Sequence, residues 1–232
     1  MAITVDTTSH ATAAGGAMSW NQTINNSKEL LVLFVVYGST FGNQHPTAKY
    51  NGVSMSRTNS FALTSIYLGS VFVLANPDTG NNAFIVENDG SATVYFAAAV
   101  AFNGAAQTGQ PADYQEGFGS PTATATLTTQ VGDYIFGIGM IDGTHTMTTT
   151  PGITGTTPFY TDNTTLPNPP YSPATDIYFT AGYLGPESGG SQSFAVTTSS
   201  TTGTISDQGA FAVVIRAFPA NGGAFILNIL AG

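Results

Sequence analysis

The chain has 232 residues, 42% hydrophobic and 7% charged, and its net charge of −9 is set against only four basic residues, Lys28, Lys49, Arg57 and Arg216. That hydropathy argues against charge-driven disorder, and cations so few and scattered make no basic stripe for nucleic acid. The absence of cysteine removes disulfides, thiolate metal sites and cysteine nucleophiles together.

The surface must then be built mainly from Thr, Ser, Asn and Gln, as on a β-protein, and one large domain is the default at this length. The chain opens with neither a basic segment nor an apolar leader core, so a chain without a secretory leader is expected. No apolar run approaches the roughly 18 residues of a membrane span.

Ile3 and Val5 alternate weakly, and Met18, Trp20, Gln22 and Ile24 share one parity, which predicts two early strands within residues 1–27. The single Trp is expected to face inward. Leu30-Leu31-Val32-Leu33-Phe34-Val35-Val36-Tyr37 is apolar throughout, β-branched and aromatic, and is closed by Gly38, so it predicts a central strand buried on both faces. Asn51-Gly52 is the strongest hairpin signal, and Val53-Ser54-Met55-Ser56 is expected to return antiparallel. A strand from Ser65 to Leu74 ends at Asn76-Pro77-Asp78-Thr79-Gly80. Ala83–Glu87 and Thr93–Phe102 are expected to pair across Asn88-Asp89-Gly90, the second being another deeply buried strand beside the first.

Asn103 to Gly119 reads as a long loop. Thr122 to Thr128 alternates like a half-exposed strand, and Gly137 and Gly139 mark one face of a strand from Asp133 to Ile141 as a place of close approach or bulging. Residues 144–175 carry six prolines and predict an ordered surface excursion. Asp176–Leu184, Ser191–Val196 and Gln208–Ala217 complete the strands, and no internal repeat is evident in the residues. The predicted fold is all-β, an antiparallel β-sandwich of jelly-roll type spanning 28–217. An extra C-terminal strand in 218–232 is too apolar for water: Phe225, Ile226, Leu227, Ile229 and Leu230 either complete the same molecule or add to a neighbouring subunit's sheet edge.

Several segments together resemble a β-sandwich domain of phage virion decoration and fibre proteins and of bacterial surface proteins. They are Glu29-Leu30-Leu31-Val32-Leu33, Tyr50-Asn51-Gly52-Val53-Ser54-Met55, Tyr67-Leu68, Asn76-Pro77-Asp78-Thr79-Gly80, Val100-Ala101-Phe102-Asn103-Gly104-Ala105 with Pro111, Gly132-Asp133-Tyr134-Ile135, and Ala210-Phe211-Ala212-Val213-Val214-Ile215. The resemblance covers roughly 28–217 and implies a non-enzymatic role, with no catalytic residue to carry over. The Pro-rich excursion and the strand after Gly223 have no place in that pattern.

The residues themselves offer little catalysis. His10, His45 and His145 lack partners at metal-ligand spacing, so no metal site is expected from them. The acids Asp78, Glu87, Asp89, Asp113, Glu116, Asp133 and Asp142 lie at turns, where they cap backbone. They leave open calcium held by several loops, and a facing carboxylate pair for glycoside hydrolysis, although no acid pair has a matching strand context. Phe159, Tyr160 and Tyr171 in the excursion are candidates for stacking on a glycan. The expected function is a virion structural protein, a capsid decoration or fibre component at the virion surface whose partners are itself and other virion proteins. The alternatives are a carbohydrate-binding or adhesive module at the cell surface, or an extracellular filament subunit assembled by strand exchange.

Overall fold

The structure, a computed structural model, describes residues 2–13, 16–26, 29–38, 45–62, 67–89, 93–119, 122–143, 152–154, 157–161, 176–197 and 205–217. It is all-β, with antiparallel strands in four open sheets. In chain order the strands are β1 (Thr4–Thr12), β2 (Met18–Ile24), β3 (Leu30–Gly38), β4 (Thr47–Tyr50), β5 (Val53–Ser54), β6 (Ser56–Ala62), β7 (Tyr67–Ala75), β8 (Gly80–Glu87) and β9 (Thr93–Asn103). They continue as β10 (Asp113–Phe118), β11 (Thr122–Val131), β12 (Tyr134–Gly143), β13 (Gly152–Thr154), β14 (Thr157–Thr161), β15 (Asp176–Leu184), β16 (Ser188–Thr197) and β17 (Ile205–Ile215).

The strands up to β9 form a nested ribbon, in which β1 pairs with β9, β2 with β8, β3 with β7 and β4 with β5. Folding that ribbon over itself places β3 beside β9 and β4 beside β8, which gives the sheets β1-β9-β3-β7-β6 and β2-β8-β4-β5. This is jelly-roll winding. The strands from β10 onward repeat it: β10 pairs with β17, β11 with β16 and β12 with β15, in the sheets β10-β17-β12-β15-β14 and β11-β16-β13. Only the innermost turn differs, with β13 remaining on the three-stranded sheet and β14 crossing to the other, as β6 does in the first unit.

The two units stack on their five-stranded sheets, so the layers run outer, inner, inner, outer. Even-numbered residues of β3, Leu30, Val32, Phe34 and Val36, meet Phe136, Ile138 and Met140 of β12 and Phe211, Val213 and Ile215 of β17 in the central core. Rings bind this face together: Phe34 lies edge-on to Phe136 at 4.8 Å, Phe96 stacks on Phe179 at 4.8 Å and Phe61 stacks on Phe211 at 4.3 Å. Each such pair contributes roughly 0.5–1.5 kcal/mol beyond its buried area.

Odd-numbered residues of β3 face the first outer sheet, where Leu31, Leu33, Val35 and Tyr37 pack with Met18, Tyr50, Phe84 and Val86. The complete burial of β3 thus has a different cause from the one expected. A two-layer sandwich covers one face of a strand, and here a sheet lies on each side.

Small residues set the outer spacing. Ala97, Ala99 and Ala101 of β9 face the first outer sheet, and Ala210 and Ala212 of β17 face the second. On β12, Gly137 and Gly139 leave room for Phe194 and Val196 of β16: a Cβ built on either glycine would lie 2.5 Å from those side chains. The close approach expected at these glycines is therefore real.

The Asn51-Gly52 hairpin forms with φ of 48° and 76°, joining β4 to β5. Trp20 faces inward and stacks on Phe84 at 4.6 Å. Two expectations fail. The strands on either side of Asn88-Asp89-Gly90 do not pair: β8 belongs to the outer sheet and β9 to the inner one, because β8 alternates in exposure whereas β9 is buried throughout. The segment 103–119, expected as a loop, contains β10, a polar edge strand paired with β17. The C-terminal strand expected in 218–232 and most of the Pro-rich excursion lie outside the described residues, apart from β13 and β14.

Candidate functional site

Among the residues singled out from sequence, Phe159 and Tyr160 lie on β14, the edge strand of the second five-stranded sheet. Tyr171, Phe225, Ile226, Leu227, Ile229 and Leu230 lie outside the described residues. The expected ligand and assembly residues are thus not brought together within the described fold. Three polar clusters are.

The first lies where β3, β6 and β7 meet the loop before β4. The Tyr37 hydroxyl bonds His45 Nδ1 and also Ser70 Oγ at 3.2 Å, and Ser70 Oγ in turn bonds Ser60 Oγ at 3.2 Å. His45, Arg57, Asp89, Met55 and Phe72 line an open cleft of about 330 Å³ beside this chain. Burial, and then the Arg57 charge, hold the His45 imidazole below its ordinary pKa, with Asp89 opposing; burial also raises the Tyr37 phenol. The imidazole is held by a phenol, and Ser70, the next hydroxyl along that hydrogen-bond chain, is fully buried. Such an arrangement orients the imidazole at the polar rim of the cleft.

The second cluster fastens the connection between the two jelly rolls. Gln110 and Arg216 exchange hydrogen bonds, Gln110 Nε2 donating to Arg216 O at 3.3 Å and Arg216 N donating to Gln110 Oε1 at 3.1 Å. Ala106 N and Ala112 N donate to Arg216 O and Val214 O at 3.0 and 2.9 Å. Beneath lies Asp133, which is 1% exposed. It accepts from Gln130 N at 2.7 Å and from Arg216 Nε at 3.4 Å. Every bond of this carboxylate is structural, so it caps backbone as expected of an acid at a turn.

The third cluster sits at the start of β3. Glu29 is 1% exposed, and among the described residues no group meets either carboxylate oxygen in full hydrogen-bond geometry. Its pKa is pushed up to about 8, first by burial and then by the Asp6 carboxyl, with only the Asn26 backbone amide opposing. Two ionised carboxylates are acceptors alone, so Glu29 and Asp6 can share a hydrogen bond only when one of them holds a proton. Asp6 is itself held by Asn25, whose side-chain nitrogen donates to both carboxylate oxygens at 2.9 and 2.8 Å.

No family model, curated protein or solved structure matches the chain. The functional reading therefore rests on winding, surface and these clusters. Neither Asp6 nor Glu29 stands out in the sequence. The available signal was parity, since Glu29 precedes the apolar run on the same face as Leu31 and Leu33 and so falls under a covering sheet.

Proposed function

We propose that the protein is a non-enzymatic virion structural component, a capsid decoration or fibre subunit that associates with itself and with a particle surface. The observation that carries this reading is the tandem jelly roll, two ribbons of the same winding fused face to face through an aromatic core. Jelly rolls are the architecture of viral capsid and lectin domains, and stacking two of them makes a rigid block whose outer faces and edges remain free for neighbours. The sparse charge of the chain suits close packing of many neutral surfaces. Tyr114 and Phe118 on edge strand β10 are 40% and 54% exposed, the kind of apolar edge that a neighbour covers. Antibodies against the folded protein test the reading by immunogold labelling of intact particles. Regular decoration is expected, and label confined to cell envelopes would overturn it.

A second reading, a carbohydrate-binding surface module, draws on the lectin use of the same winding and on Phe159 and Tyr160 at a sheet edge. Glycan-array binding abolished by Tyr160→Ala would favour it.

A further inference from the structure

On one side of the first jelly roll both layers come to an edge, the inner sheet at β6 and the outer sheet at β5. The cleft beside His45 opens between these edges. Arg57 of β6 lies directly opposite Phe72 of β7, and Phe72 packs with the outer sheet, so both side chains stand on the face that looks into the cleft and away from the second jelly roll. The other described cations are paired, Lys49 with Glu87 and Arg216 with Asp133, whereas Arg57 takes part in no ion pair among the described residues. The acids of residues 1–105 are Asp6, Glu29, Asp78, Glu87 and Asp89, and of these only Asp89 lines the cleft. The segments 39–44, 63–66 and 90–92, which adjoin the cleft in sequence, contain no charged residue.

A second donor stands in the same cleft. The Tyr37 hydroxyl bonds His45 Nδ1 and Ser70 Oγ. A phenol is a far stronger acid than the N–H of a neutral imidazole, so Tyr37 donates to Nδ1 and accepts from Ser70, and the ring proton sits on Nε2, the nitrogen left for the cleft. Burial, holding the imidazole below its ordinary pKa, keeps the ring neutral at neutral pH. The cleft therefore offers one fixed positive charge and one neutral N–H, above buried Met55 and Phe72 and beside the exposed Asp89 and Ser54. We propose that it binds a sugar acid, a saccharide unit bearing a single carboxylate. The guanidinium fork matches one carboxylate bidentately, with the imidazole N–H as a further donor. Asp89 repels a doubly charged phosphate but accepts hydrogen bonds from ring hydroxyls, and the apolar floor takes the C–H face of the ring. A cleft of about 330 Å³ lies at the small end of ligand sites and suits one such unit. The site is independent of the virion reading, and either can fail alone.

The experiment is saturation-transfer difference NMR on the full chain at neutral pH, with sodium glucuronate and N-acetylneuraminate as probes, glucose as the neutral control and inorganic phosphate as a competitor, for wild type, Arg57→Gln and His45→Ala. Arg57 is exposed on an edge strand and His45 precedes β4 at partial exposure, so both variants are expected to keep the wild-type circular dichroism spectrum. Wild type should transfer saturation to at least one of the two acids and not to glucose, and excess phosphate should leave that signal in place. Titration should show binding weakened about tenfold or more by Arg57→Gln and by a smaller factor in His45→Ala, because a charge-assisted hydrogen bond contributes more than a neutral one. No transfer to either acid, equal transfer to glucose, displacement by phosphate, or undiminished binding in either folded variant would each overturn the proposal.

Discussion

Replacing Glu29 with Gln should stabilise the protein increasingly as pH rises. The Glu29 carboxyl has its pKa raised from 4.5 to about 8 in the folded chain, so the folded state holds a proton that the unfolded state releases. Stability from that proton is complete below pH 4.5 and is lost progressively as pH climbs to about 8. Integrating that linkage between pH 5 and 9 gives a loss of about 4 kcal/mol for wild type that the uncharged glutamine does not suffer. For a chain of this length the loss corresponds to a melting difference on the order of 10 °C. Urea titrations in chelator, every half unit of pH, would read it as the difference between the two stability curves, which cancels every other titrating group. Parallel curves for wild type and Glu29→Gln would refute the reasoning, because a carboxyl that titrates normally is neither dry nor opposed by Asp6.

Other perturbations probe the layers. Val35→Asp puts an unpaired charge between the first inner and outer sheets, at several kcal/mol or more against a usual stability of about 5–15, so circular dichroism should show an unfolded or insoluble chain; wild-type melting would contradict the layer assignment. Gly137→Ala places a methyl 2.5 Å from the Phe194 ring and should destabilise by about 1–3 kcal/mol in urea, whereas an unchanged midpoint would show that the second unit's sheets are not in close contact there. Truncation after Ala220 removes the apolar run from Phe225 to Leu230, and a cooperative melt with lost self-association in sedimentation is the expected result. Collapse of the melt would instead make the run an internal strand, and no change in either would refute both roles.

Much of the layering was legible in the residues because burial writes itself into composition. The runs at β3 and β9 read as interior strands, the Asn51-Gly52 pair as a tight turn, and Gly137 with Gly139 as a place of close approach or bulging, of which the structure shows the close approach. What escaped was long-range. The second jelly roll repeats the pairing of the first with different side chains: Leu30–Tyr37 is continuously aliphatic and aromatic, whereas Tyr134–Ile141 interposes glycines. Topology of this kind resides in which strands meet, and hydrophobic pattern does not encode it. The failed hairpin between β8 and β9 arose because a short turn looks the same whether it joins neighbours or crosses between layers. The difference between an alternating strand and a continuously buried one was the informative feature. Likewise Asp6 gave no signal, since a bulge depends on register with β9, and Glu29 was masked by its position at a strand start, where acids are usually solvated.

The most direct test of the proposed role is quantitative mass spectrometry of particles banded on a density gradient. The chain is expected to band with intact particles, in a fixed copy ratio to the shell proteins and resistant to moderate salt, as contacts made mainly by uncharged side chains would be. Its recovery only in the soluble or envelope fractions, with banded particles free of it, would rule out a virion role.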